Sequence, residues 1–123
     1  MIFPGYLGGL TLFLIAASVS ASGTCVQIDP QVVNAQRPEW SELGGITFLS
    51  ESEAGGPTTG GSADSSSAFL NRQTGTLSLG NAGSSRDCIC VQLQSGGLCY
   101  WLNAGDSCTD QQPSALSVEF YQC

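Results

Sequence analysis

Hydrophobic positions recur with period two through the second half of the chain. Between Cys88 and Gln94, and again between Leu98 and Asn103, apolar residues alternate with sulfur, amide or indole side chains. Successive side chains of a strand point to opposite faces, so this pattern predicts two strands. One face carries Ile89, Val91 and Leu93 with Leu98, Tyr100 and Leu102. The other carries Cys88, Cys90 and Gln92 with Cys99 and Trp101. Ser95-Gly96-Gly97 is the expected turn, since glycine reaches positive φ at no steric cost. Both faces of this hairpin favour burial, so it is expected to be central and covered on both sides.

Three other segments read as strands. Ala115–Cys123 alternates Leu116, Val118 and Phe120 inward with Glu119 and Tyr121 outward. Ala68–Gly80 reads as a hairpin turning at Gln73-Thr74-Gly75, with Thr76, Leu77 and Leu79 on the return strand. Gly45–Ser50 is a short apolar strand, and Asn81–Asp87 is a loop. Between Ile28 and Leu43 lie helix signals: Asp29 as a cap, Pro30 at the first helical position, and Arg37-Pro38 as a stop or kink. Residues 51–67 are rich in Gly, Ser and Thr, with three acids and no aromatic, which predicts a long mobile loop. The expected fold is α+β or mostly β. It would be a small disulfide-stapled antiparallel sheet of about four to six strands, with a short N-terminal helical segment.

The start of the chain follows another rule. Gly9–Ala21 is an apolar run that becomes small and ends in Val19-Ser20-Ala21, the shape of a secretory signal peptide. Residues 1–21 are read as that signal and 22–123 as one cysteine-rich secreted domain. No Lys or Arg precedes the run, a departure from the usual pattern. Pro4, Gly5, Gly8 and Gly9 interrupt it and no basic cluster follows, which weighs against a membrane anchor.

The sulfurs support export. Cys25, Cys88, Cys90, Cys99, Cys108 and Cys123 all follow the expected cleavage point, and their number is even. In a short exported chain this predicts three disulfides, of unassigned pairing. A metal site would need repeated close ligand pairs, usually with His, and a redox centre would need Cys-x-x-Cys. Neither pattern occurs.

Charge narrows the function. The chain has 3 basic and 10 acidic residues, a net charge of −7. The bases are Arg37, Arg72 and Arg86, and Lys and His are absent. Such a surface repels phosphate backbones and anionic lipid, so neither nucleic acid nor membrane is an expected partner after signal cleavage. A hydrophobic content of 41% is too high for disorder. Without His, no Ser-His-Asp triad, Cys-His dyad or His-ligated metal can form. The remaining carboxylate pairs are Glu51 with Glu53 and Asp106 with Asp110. A domain of this size rarely forms the cleft that two-carboxylate hydrolysis needs, so no catalytic residue is expected. Asp106 and Asp110 also lack the dense oxygen-ligand pattern of a calcium loop. No cofactor or metal is expected. Trp40, Tyr100, Trp101, Phe120 and Tyr121 are candidates for sugar stacking or protein contact, with Trp101 favoured as core. Tyr121, expected to be exposed, and the loop bearing Asn103, Asp106 and Asp110 are the candidate partner-binding residues.

The layout resembles the small secreted cysteine-rich proteins of fungi, the class from which effector candidates are drawn. The resemblance rests on the signal-like Met1–Ala21, the six later cysteines, the small size and the cysteine-ended last strand. It implies action outside the producing cell on a host protein or cell-wall glycan. The leading expectation is a non-enzymatic secreted binding protein acting on a host or competitor target. The alternatives are a lectin-like glycan binder and, third, a small secreted hydrolase or toxin.

Overall fold

A computed structural model describes residues 22–123, and the expected signal peptide lies outside the described residues. The chain runs through β1 (Ser22–Thr24), β2 (Val26–Gln27), α1 (Pro30–Gln36), a 3-10 turn (Arg37–Glu39), β3 (Ser41–Thr47) and α2 (Glu51–Ala54). It continues through β4 (Thr58–Ala63), β5 (Ser66–Asn71), β6 (Thr76–Asn81), β7 (Asp87–Leu93), β8 (Gly96–Leu102), β9 (Ser107–Gln111) and β10 (Ala115–Gln122). The fold is mostly β. Two five-stranded sheets replace the single sheet expected: β1-β9-β6-β5-β4 and β2-β8-β7-β10-β3. Every pairing is antiparallel except β1 with β9.

The sheets pack face to face. Ala68, Leu70, Leu77 and Leu79 of the first meet Ile89, Val91, Tyr100, Leu102, Val118 and Phe120 of the second. The predicted aliphatic face of the central hairpin is therefore the inter-sheet core. At the edge of this core, buried Ser66 of the first sheet donates its hydroxyl to the buried Asp87 carboxylate of the second. The opposite face of the second sheet is also covered. Cys88, Cys90, Cys99 and Tyr121 form a second buried cluster with Ile28, roofed by Val32, Val33 and Trp40. The central hairpin is thus covered on both sides, as expected.

Three disulfides staple these layers, and every cysteine is paired. Cys90–Cys99 joins directly opposed residues of β7 and β8. Cys88–Cys123 ties β7 to the residue after β10, and Cys25–Cys108 ties the β1–β2 junction to β9. That junction changes sheet: β1 pairs with β9, and β2, one residue later, pairs with β8. On the other side β3 and β4 close in, and a Cβ on Gly44 would lie 2.9 Å from that of Ala63, so only glycine permits the approach. Three disulfides fit an oxidising compartment.

Several expectations are corrected. Residues 51–67 are not one long loop. Ser50 and Glu53 make a reciprocal capping box that starts α2, and β4 pairs with β5 along its whole length. Small polar residues look like a loop in sequence, but they suit a strand with one face in water. The helical segment is not N-terminal in the described chain, because β1 and β2 precede it, and Ser41–Leu43 belong to β3. The central hairpin turns at Gln94-Ser95, with Leu93 opposite Gly96, so Gly96 and Gly97 belong to β8. In β10 a register shift between Ala115 and Ser117 buries Ala115 instead and leaves Leu116 40% exposed.

Candidate binding site

Helix α1 builds one wall of a groove on the second sheet. Asp29 accepts a hydrogen bond from Gln31 N–H at 2.8 Å, and Pro30 takes the first helical position. Pro38 then tightens the chain into the 3-10 turn, which presents Arg37 to β10. There Arg37 donates to Glu119 Oε1 at 2.6 Å and to the Tyr121 hydroxyl at 2.9 Å. The hydroxyl in turn donates to Glu119 Oε1 at 2.8 Å. Trp40 lies against the Tyr121 ring, 5.7 Å between centroids. Burial pushes the Tyr121 phenol above its ordinary value of 10.0, although Arg37 opposes the shift. The same hydroxyl holds the Arg37 guanidinium above its own ordinary value.

Between α1, β8 and this network lies a groove of about 380 Å³. Its floor is apolar, made by Ile28, Val33 and the Cys90–Cys99 disulfide. Around the floor stand the backbone of Gln27, the amides of Asn34 and Gln92 and the hydroxyl of Ser117. The only charges in the lining are Arg37 and Glu119, and they pair with each other. The groove is therefore electrically neutral in a chain of net charge −7. It offers hydrogen-bond donors and acceptors over an apolar base, which suits an uncharged polar ligand.

A second hollow, of about 440 Å³, opens where β1 passes into β2. The Arg86 guanidinium lies 4.1 Å from the Trp101 ring centroid and donates to Cys123 O at 3.3 Å. Buried Asn81 shapes the rim. Its amide donates to Ser85 O and Leu102 O, and its backbone N–H donates to Asp106 O. Val26, 62% exposed, forms part of the wall.

The predicted partner-binding residues do not converge. Exposed Asn103 and half-buried Asp106 line the second hollow. Asp110 lies further along β9 and accepts a 2.7 Å hydrogen bond from the Tyr100 hydroxyl. Burial first, and then Asp110, push the Tyr100 phenol far above its ordinary value. Tyr121 is 7% exposed, which corrects the expectation of an exposed ring. Strand alternation does place it on the outer face, but α1 and Trp40 cover that face. Glu51 and Glu53 lie on α2, not on a strand, and Glu53 is held below its ordinary value by the Ser50 backbone N–H. Among the described residues, no group of three or more His, Cys, Asp or Glu side chains is placed to hold a metal ion, and no helix is long and apolar enough to cross a membrane.

Sequence reasoning missed Gln27, Asn34, Arg37, Ser117 and Glu119 as neighbours. Scarcity was the available signal for Arg37, one of three cations in the chain. All three are engaged: Arg72 donates to the carbonyls of Leu49 and Phe48. No family model, curated protein or solved structure matches the chain.

Proposed function

We propose that the protein is a secreted, non-catalytic binding protein that acts outside the producing cell on a host or competitor protein. The neutral groove between α1 and β8 supports this reading most directly. Two disulfides, Cys90–Cys99 and Cys88–Cys123, stiffen the sheet beneath it. A pre-organised surface loses little entropy on binding. The signal-like residues 1–21 and the three disulfides support export. With no His or Lys in the chain, the commonest proton-transfer groups are missing, which favours binding without turnover. The lectin-like alternative is weaker, because Arg86 already occupies one face of Trp101 and Trp40 stands 6.4 Å away on a tilted plane.

Amide chemical-shift mapping of the oxidised protein tests the reading. Peptides derived from extracellular proteins are expected to shift Gln27, Asn34 and Leu98 without being cleaved. Cleavage of a peptide or glycan, abolished by neutralising Glu119 or Asp106 in a folded variant, would replace binding with catalysis.

A further inference from the structure

Strand β2 stops early. It pairs with β8 only at Val26↔Trp101 and Gln27↔Tyr100, after which Ile28 N–H donates to Cys99 O at 2.8 Å. The chain then leaves for α1 at Pro30. Strand β8 extends beyond that point to Gly96, paired with β7 on its other side. The edge of β8 from Leu98 to Gly96 therefore has no neighbouring strand among the described residues.

The orientation of this edge follows from the ladder. In antiparallel pairs, residues alternate in the side to which they point both N–H and C=O. Cys99 accepts from Ile28, so Gly97, two positions away, points its N–H and C=O to the same side, away from β7. No described residue bonds to them. Gly96 and Gly97 are both exposed. Open strand edges attract further strands, and proteins usually shield them. On the opposite side this fold does so by bringing β3 against β4. The open edge of β8 instead borders the neutral groove, which Gly97, Leu98 and Cys99 help to line.

We propose that this edge docks an extended peptide segment of a partner protein, which adds to β8 in line with β2. The proposal deepens the binding reading and rests on it only for the partner being extracellular. The peptide backbone would take up the N–H and C=O of Gly97. Its side chains would alternate between solvent and the groove, where Val33 and the Cys90–Cys99 disulfide offer an apolar seat and Asn34 and Gln92 offer amides. Main-chain bonds give affinity in this mode, and the alternate side chains give specificity. The cancelled charge of Arg37 and Glu119 selects an uncharged residue at the seat.

Phage-displayed random octapeptides selected on the full oxidised protein provide the probe. Soluble selected peptides are expected to bind the wild type. Binding to Gly97→Pro should weaken by about tenfold or more, the equivalent of about 1.4 kcal/mol. That substitution removes the outward N–H and spares the ladder to β7. Asn34→Trp blocks the groove from an exposed helical position and should weaken binding similarly, even if Gly97→Pro does not fold. Bound peptide should slow hydrogen exchange at the Gly97 amide. Equal binding to correctly oxidised Gly97→Pro or Asn34→Trp overturns the proposal, as does a library that yields no peptide protecting Gly97. Shifts at Gln27 and Asn34 with chitotetraose or cellotetraose, but with no peptide, would keep a binding groove and reject the peptide. Cleavage of the selected peptides would instead reject the non-catalytic reading.

Discussion

The two sheets solve the same burial problem differently. The second sheet is covered on both faces: by the first sheet on one side, and by α1, Trp40 and two disulfides on the other. Among the described residues, the first sheet is covered on one face only. Its outer row sets Thr109, Ser78 and the 44% exposed Phe69 side by side across β9, β6 and β5. Covering both faces gives rigidity and a groove at the roof. Covering one leaves small hydroxyl side chains in water and contributes little beyond the shared core. The difference teaches that stability is divided between the sheets at their interface, whereas the candidate binding chemistry belongs to the second sheet alone.

The comparison is most strongly challenged at the staples. Replacing both Cys25 and Cys108 by Ala opens a link across 83 residues, against 9 for Cys90–Cys99. In the chain-entropy account the losses are about 4–5 and about 2–3 kcal/mol, respectively. Urea unfolding of the two double variants should preserve that order, and the reverse order would mean that the roof outweighs the junction.

Aromatic truncation comes next. Phe120→Ala, in the inter-sheet core, should cost about 3–5 kcal/mol. Phe69→Ala, on the wet face, should cost under about 1 kcal/mol. Similar midpoint shifts for the two would mean that the outer face of the first sheet is itself covered.

Smaller again is Tyr121→Phe, which deletes the hydroxyl joining Arg37 to Glu119. It should cost about 1–2 kcal/mol, with the groove variant otherwise folded. The phenols of Tyr121 and Tyr100 both titrate above 10.0 in the folded state. The folded protein therefore holds their protons longer than the unfolded chain does. This contribution to stability is complete below about pH 10, where unfolded tyrosine ionises, and is lost as pH rises from there through the folded values. Denaturation measured across alkaline pH should show that decline, and it should be shallower in Tyr100→Phe. A flat profile would mean that neither ring is buried.

The smallest effect concerns the segment that read as a loop. Amides of β4 bonded to β5 should exchange more slowly than those of α2, which has no buried residue. Uniformly fast exchange from Thr58 to Ala63 would restore the mobile loop.

Legibility in the sequence follows the same division. Where both faces are apolar, as in β7 and β8, period two stands out and the partition of Cys90 and Val91 to opposite faces is readable from spacing. The hairpin of β5 and β6 was legible for a related reason, because Leu70, Leu77 and Leu79 mark its inner side. Strand β4 was not, since its inward positions are Thr59, Gly61 and Ala63 and carry almost no hydrophobic contrast. The groove was the least visible feature. It assembles Gln27, Asn34, Ser117 and Glu119 from three separate segments, and ordinary surface amides carry no local signature. The burial of Tyr121 depended on a roof contributed from more than eighty positions away by Arg37, a distance that alternation within one strand does not register.

The sheet switch at Cys25 also has a kinetic meaning. The hairpins of β5–β6 and β7–β8 close short loops, but β1 finds β9 only after most of the chain has been placed, and it does so in parallel. Such distant pairing is slow to form. The Cys25–Cys108 bond is then expected to form last, after the body of the two sheets has ordered. Quenching refolding with an alkylating agent should trap species with Cys90–Cys99 formed and Cys25 still free. The opposite order would make the crossing an organiser of folding rather than its latch.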